Sequence, residues 1–142
     1  MSPTLVSAAI LEHDGKILLA QRDENSRFGA EKWEFPGGKV EPLESPKQAL
    51  KREINEELGV GVSDLLLVDV NSHVYEDEQG KLHIILISYR CKPNHLNLIK
   101  HAHKELKWVK PTEIDPADLC EADKPILISF INTIKALKTS VN

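Results

Sequence analysis

Cysteine is scarce in this chain, and the two present, Cys91 and Cys120, stand 29 positions apart. That spacing suits neither a structural zinc site nor a disulfide framework, so both are expected to be buried, reduced thiols of an intracellular protein. Excess basic charge is missing too. Eighteen Lys and Arg against 22 Asp and Glu leave a formal charge of −4 and a pI near 5.9. A broad phosphate-binding surface is thereby excluded, and with it a nucleic-acid duplex as partner. A small charged ligand stays open, because a bound cation offsets repulsion locally. No apolar run approaches the ~20 residues of a membrane span, and the first residues lack the basic and apolar regions of a signal peptide. A cytoplasmic location and no membrane partner are expected. Repeats, low-complexity tracts and linkers are also absent. The 142 residues, 41% hydrophobic and 28% charged, are read as one domain spanning 1–142, long enough for a proper core.

What the chain does have is a succession of strand and turn signals. Residues 5–11 form a β-branched and apolar run, His13-Asp14-Gly15 marks a turn, and residues 17–20 return, which reads as a hairpin. Residues 23–31 are polar and make a loop of a length suited to facing a substrate. Residues 33–35 are a short strand leading into Pro36-Gly37-Gly38. Residues 65–70 and 74–75 are strand-like, 77–80 turns back, and 82–89 is the most apolar strand, expected to be central. Residues 106–109 are a further short strand, and apolar residues at 126, 127, 130, 131, 134 and 137 keep a helical period. Strands flanking one internal helix and ending in another predict an α+β layered domain, a sheet with helices on its faces.

The internal helix carries the chemistry. Ser45 is placed to cap it, Pro46 takes the first helical position, and Gln48 completes a capping box. Gly59 supplies the left-handed residue that ends it. Leu50, Ile54 and Leu58 form the core-facing stripe. Glu53, Glu56 and Glu57 then share an adjacent face at i, i+3 and i+4, although like charges at these spacings cost about 0.2–0.5 kcal/mol per pair. A solvated acidic face is one reading of such a cluster. A divalent cation is the other, since hard carboxylate oxygens suit magnesium or manganese. Two features favour the cation. Arg52 stands four residues before Glu56 and can orient it through a fork-shaped pair, and Gly37-Gly38 places a close-approach loop just ahead of the helix.

Gly38, Glu44, Arg52, Glu53, Glu56, Glu57 and Gly59, with aliphatic Ile54 and Val60, match every position of the Nudix box G-x5-E-x7-R-E-U-x-E-E-x-G-U. The chain therefore resembles the Nudix hydrolases, which cleave nucleoside diphosphates linked to another group. The resemblance implies an α/β/α sandwich around a mixed sheet over nearly the whole chain, although only residues 33–60 carry a sharp motif. It further implies Mg2+ (or Mn2+) held by Glu53, Glu56, Glu57 and the carbonyl of Gly37. Glu53 or Glu56 would act as general base, with Arg52 counted among the catalytic set. The implied partner is a small-molecule nucleotide, and the protein would act as a monomer or homodimer.

Three flanking segments are similar to the MutT-type nucleoside triphosphate pyrophosphohydrolases and their CTP-cleaving relatives. Lys16-Ile-Leu-Leu-Ala-Gln-Arg22 places Arg22 where the subgroup contacts substrate phosphates. Trp33-Glu34-Phe35-Pro36-Gly37-Gly38-Lys39 matches the segment that lines the site, which makes Glu34 and Phe35 substrate-binding candidates. Ala122-Asp123-Lys124-Pro125 occupies the place of a base-reading motif. Asp123, where MutT itself typically has Asn, only accepts hydrogen bonds when ionised, which suits a base edge with donors such as the cytosine amine or the guanine N1/N2 edge. Capping of the last helix is the competing role for Asp123, and both can hold together. Ala102 departs from the family pattern Glu-His-x-Glu-x-x-Trp, and Glu105, His101 or His103 is left to substitute for the missing Glu. The implied reaction is water attack at the β-phosphorus, yielding nucleoside monophosphate and pyrophosphate from oxidised dGTP or from CTP or dCTP. An ADP-ribose or other NDP-X hydrolase, and a non-catalytic nucleotide sensor, are the alternatives on the same fold.

Overall fold

The computed structural model describes residues 2–141, with side chains as far as Lys138. Met1 and Asn142, the ends of the span read as one domain, lie outside the described residues. The chain runs β1 (Thr4–His13), β2 (Lys16–Gln21), β3 (Trp33–Glu34), β4 (Gly37–Lys39), α1 (Pro46–Leu58), β5 (Val62–Asp77), β6 (Gly80–Pro93), β7 (Glu105–Val109) and α2 (Lys124–Val141). Short 3-10 turns fill the stretch between β7 and α2.

The strands form a mixed sheet in the order β3-β2-β1-β6-β5, with β4 pairing on β1 and β7 on β2. The β1–β6 pair is parallel and the others are antiparallel. Two core clusters lie on opposite faces. Ala8, Ile10, Ile17 and Leu19 pack with Ile126, Leu127 and Phe130 of α2, while Ala9, Leu11 and Leu18 pack with Leu50, Ile54 and Leu58 of α1. Successive residues of a strand point to opposite faces, so a strand covered on both sides reads as a continuous apolar run. That is why residues 8–11 and 17–20 carry no polar residue. This is the expected α+β sandwich.

Local chemistry fixes the ends. Asp14 and Gly15, with φ of 50° and 76°, make the two-residue turn that joins β1 to β2. Ser45 Oγ accepts the Gln48 N–H and the Gln48 side chain accepts the Ser45 N–H, which completes the capping box. Gly59 closes α1 with φ 68°. Ser7, fully buried on β1, donates its hydroxyl to Pro46 O at 2.7 Å and so pins the start of α1 to the sheet.

Two expectations on the strands need revision. Residues 65–70 and 74–75 belong to one continuous strand, β5, and residues 82–89 lie inside the longer β6. The polar residues Asn71-Ser72-His73 interrupt the apolar signal without interrupting the ladder. β5 is an edge strand whose outer face can stay wet, and bulges near Ser63–Leu66 and Leu67–Asp69 absorb the irregularity. Among the described residues, no helix is long and apolar enough to cross a membrane.

Candidate active site

Residues 33–34 pair with β2 and residues 36–40 lie against β1, and Glu34, Phe35, Gly37, Gly38 and Lys39 of this segment line a cleft. Ala9 N–H donates to Pro36 O and Val40 N–H to Leu5 O, so this segment is threaded along β1 on both sides of β4. A Cβ added to Gly37 would lie 1.9 Å from Ser7 O, which leaves no room for a side chain. A Cβ on Gly38 would lie 2.3 Å from the carboxyl carbon of Glu53. The glycine pair therefore has a concrete purpose: the backbone must touch both β1 and the carboxylate face of α1.

Arg52 organises that face. Its Nε and Nη2 bond both oxygens of Glu44 at 2.7 and 2.9 Å, its Nη1 bonds Glu53 at 2.9 Å, and its Nη2 also donates to Lys39 O at 3.0 Å. The Arg52–Glu56 contact is longer, at 3.3 Å, with 58% of the Glu56 side chain exposed. The fork expected between Arg52 and Glu56 is thus formed with Glu44 instead. Glu44 reaches Arg52 from the loop before the helix, where its two oxygens match the guanidinium geometry. Sequence reading gave Glu44 no partner. The Arg52 guanidinium, with the Glu41 N–H, holds the Glu44 pKa down to about 2.

The cleft encloses about 340 Å³, and of the three carboxylates on α1 only Glu57 lines it. Burial, then the charges of Glu53 and Glu34, push the Glu57 pKa up to about 8. Its Oε2 is buried without a hydrogen-bond partner. A cation would satisfy an acidic group carrying an unpaired buried oxygen and two negative neighbours. Among the described residues no three His, Cys, Asp or Glu side chains converge as a ready-made cage. Magnesium does not require one, because it commonly binds through one or two carboxylates and completes its shell with water and substrate phosphates.

The other residues anticipated for the site gather around the same cleft. Arg22 donates through Nη1 to Glu34 Oε1 at 3.0 Å and through Nε to Phe28 O at 2.9 Å. Burial opposes the Arg22 charge, but Glu34, through its charge and hydrogen bond together, outweighs it and raises the pKa. Phe35 is buried, and its N–H donates to Asp123 Oδ2 at 2.8 Å across 88 residues of sequence. Asp123, 5% exposed, sits in a 3-10 turn (Glu121–Asp123) that continues into α2. Its carboxylate serves the Phe35 backbone and lines the cleft, so the helix-capping role is not the one observed. Burial and the charge of Glu34 raise its pKa well above the ordinary range.

Sequence reading missed the cleft's aromatic wall. Phe28 stacks on Tyr75 with ring centres 4.9 Å apart, and Arg27 lies over Phe28 while making a two-point pair with Asp77 at 2.8 and 2.7 Å. This pair fastens the 23–32 loop to the β5–β6 turn. The Tyr75 hydroxyl in turn accepts the Ala122 N–H at 3.0 Å. The signal available in the sequence was slight: Arg27 and Phe28 lie in the loop expected to face substrate, and Tyr75 and Asp77 alternate on one strand face. Of the candidates to replace the residue missing at 102, Glu105 is paired with Lys100 at 3.5 Å with 59% of its side chain exposed, and His101 is exposed. His103 alone of these lines the cleft. Both cysteines are buried and free, with thiols pushed up to about 12 by burial.

Comparison with known proteins agrees with this geometry. The NUDIX domain family matches residues 1–130. A CTP pyrophosphohydrolase of Escherichia coli (strain K12) is 44% identical over 126 residues, covering 89% of this chain and 90% of the relative. An 8-oxo-dGTP diphosphatase of Proteus vulgaris is 37% identical over 84 residues, covering 59% of this chain and 74% of the relative. The solution structure of the E. coli ORF135 protein superposes with a TM-score of 0.78 at 39% identity, covering 96% of this chain and 94% of that one.

Proposed function

This chain belongs to the Nudix family, and on that premise we propose that it hydrolyses CTP or dCTP to the monophosphate and pyrophosphate. The observation that carries this reading is the buried carboxylate of Asp123 on the wall of the cleft that also holds Arg22 and Glu57. A carboxylate so placed accepts a hydrogen bond from the exocyclic amine of cytosine, and a donor there offsets the cost of its burial. The relative named a CTP pyrophosphohydrolase, alike over most of both chains, supports the same base. The N1/N2 edge of guanine offers donors too, so oxidised dGTP is the second substrate to test, as the relative named an 8-oxo-dGTP diphosphatase suggests.

The unpartnered oxygen of Glu57 fits a divalent cation, magnesium or manganese, with Glu53, Glu56 and the Gly37 carbonyl as the further residues to hold it. When bound, such a cation neutralises charge on phosphate oxygens and acidifies water. The chain's own residues supply the rest. Arg22, clamped by Glu34, contacts the phosphates. Glu53 does not itself line the cleft, but Arg52 holds it against Gly38, which does, and it is better fixed than the exposed Glu56 to accept the proton of the attacking water. The stacked pair Phe28–Tyr75 and the buried Phe35 shield the base from water.

The test is hydrolysis of CTP, dCTP, oxidised dGTP and ADP-ribose with and without Mg2+, with product identification. Metal-dependent release of pyrophosphate from CTP or dCTP is expected. Release of orthophosphate, cleavage confined to ADP-ribose, or nucleotide binding without turnover overturns the assignment.

A further inference from the structure

His103 stands in the cleft with no part in the reaction as described above. Only 6% of its side chain is exposed. It lies on the stretch that straps the end of α1 to β2. Ile99 N–H donates to Leu58 O at 2.9 Å, His101 N–H to Glu57 O at 3.3 Å and Lys104 N–H to Gln21 O at 2.9 Å. The backbone carrying His103 is thus tied to Glu57 at one end and to the strand before Arg22 at the other.

The ring's two nitrogens differ. Nε2 lies 2.9 Å from Glu34 Oε2, and an ionised carboxylate only accepts, so the proton belongs on Nε2. In the neutral ring Nδ1 is then a bare lone pair, and it is buried without a hydrogen-bond partner. Glu57 Oε2 is in the same condition, and both residues line the same cleft. One species that satisfies lone pairs, a cation, would serve both of these enclosed acceptors of a single cleft. A histidine that gives one N–H to a carboxylate and keeps the other nitrogen free has the arrangement of a metal ligand, in which the carboxylate fixes tautomer and ring orientation. Glu34 is itself held by Arg22 at 3.0 Å, so the ring is braced from behind.

We propose that His103 Nδ1 ligates the divalent cation of this cleft together with Glu57, with Glu34 as the residue that orients the ring. The proposal rests on the reading that the cleft takes a divalent cation. Its consequence is a metal preference: imidazole nitrogen suits manganese better than magnesium, so the chain binds Mn2+ over Mg2+ more strongly than a carboxylate-only site does.

The experiment is pulsed electron spin-echo spectroscopy of the Mn2+-loaded protein without nucleotide, together with Mn2+ and Mg2+ titrations. Wild type is expected to show modulation from one directly bound imidazole nitrogen. His103→Gln retains a donor able to hold Glu34 but has no imidazole nitrogen to bind the metal. It should abolish the modulation and weaken Mn2+ binding by roughly tenfold, with a smaller loss for Mg2+. His103→Ala, checked for folding by circular dichroism, should do the same, and His101→Gln should leave the modulation intact. Bound Mn2+ without nitrogen modulation, or modulation surviving both His103 substitutions, overturns the assignment while the divalent-cation reading stands. Failure of wild type to bind Mn2+ at all overturns both.

Discussion

Arg52 and Glu44 are joined by a two-point ion pair, Nε and Nη2 against the two carboxylate oxygens at 2.7 and 2.9 Å, and this pair rather than Arg52–Glu56 fixes the guanidinium. The same arginine holds Glu53 and the Lys39 carbonyl, so loop, strand and helix meet on one planar group. Lys has one point of charge and no fork. Arg52→Lys is therefore expected to lower turnover by about 10- to 100-fold, as loss of a group that orients a ligand does, with the fold retained. Steady-state kinetics beside a thermal melt checks it, and a rate within twofold of wild type would falsify the orienting role.

Glu44 carries a pH signature. Its pKa falls from 4.5 to about 2 in the folded protein, chiefly through Arg52. A depressed carboxylate contributes stability that is present above its unfolded pKa and lost as pH falls through the folded one. Melting temperature of wild type should therefore drop between pH 4.5 and 2. Glu44→Gln, already lacking this contribution at pH 7, should show a shallower fall over that window and converge on wild type at its lower end. Parallel acid limbs in the two proteins would remove Glu44 from the account.

How much of this was legible beforehand depends on whether the signal was local. The capping box Ser45–Gln48, the Gly59 terminus and the stripe Leu50–Ile54–Leu58 are written in consecutive residues, and all three stand as read. The Arg52–Glu44 pair joins residues eight apart across a helix start, where helical spacing gives no guide. Asp123–Phe35, 88 residues apart, and Phe28–Tyr75 are made by the sheet, which brings β3, β5 and the segment before α2 around one cleft. No periodicity carries that information. The extent of β5 was hidden for a different reason: an edge strand tolerates Asn71-Ser72-His73 where a covered strand does not.

Glu57 is a buried acid with an unpaired oxygen and negative neighbours. Glu57→Gln should reduce turnover by about 10²-fold or more, through loss of a cation ligand. In EDTA the same substitution should leave the melting temperature unchanged or raise it, because an unfavourable charge is gone. The gain should be larger near pH 8 than near pH 5. The raised pKa means that this group's contribution to stability is fully present below its unfolded value of 4.5 and is lost as pH rises through about 8. Added Mg2+ should then stabilise wild type more than the variant. A strongly destabilised variant in EDTA contradicts this picture.

The Phe28–Tyr75 stack, tied down by the Arg27–Asp77 pair, presents a flat apolar surface to the cleft, on which the base of the proposed nucleotide would stack. Base-on-aromatic stacking is worth ~1–3 kcal/mol, so Phe28→Ala is expected to raise KM roughly tenfold while kcat changes less. Arg27→Ala, which frees the loop without removing the ring, should move KM in the same direction by a smaller factor. Kinetics on CTP and dCTP decides between this and a purely structural stack, in which case melting temperature falls and KM holds.

Asp123 separates recognition from support. Its Oδ2 accepts the buried Phe35 N–H, so Asp123→Ala leaves that donor unpaired and should cost about 1–3 kcal/mol of stability whatever the substrate. Asp123→Asn keeps an acceptor for Phe35 but presents an amide to the cleft where a carboxylate stood. Stability should then change little while the base preference shifts, because a polar base contact discriminates by about 1–3 kcal/mol, or roughly ten- to hundredfold in kcat/KM. The direction follows from the donor pattern. Preference for CTP and dCTP should fall relative to oxidised dGTP, whose altered edge offers acceptors as well as donors to an amide that can pair with both. Measuring kcat/KM for these nucleotides on both proteins under saturating Mg2+, beside their melts, gives the answer. An unchanged ranking with a lowered melting temperature would mean that Asp123 only braces Phe35 and that the base is read elsewhere in the cleft.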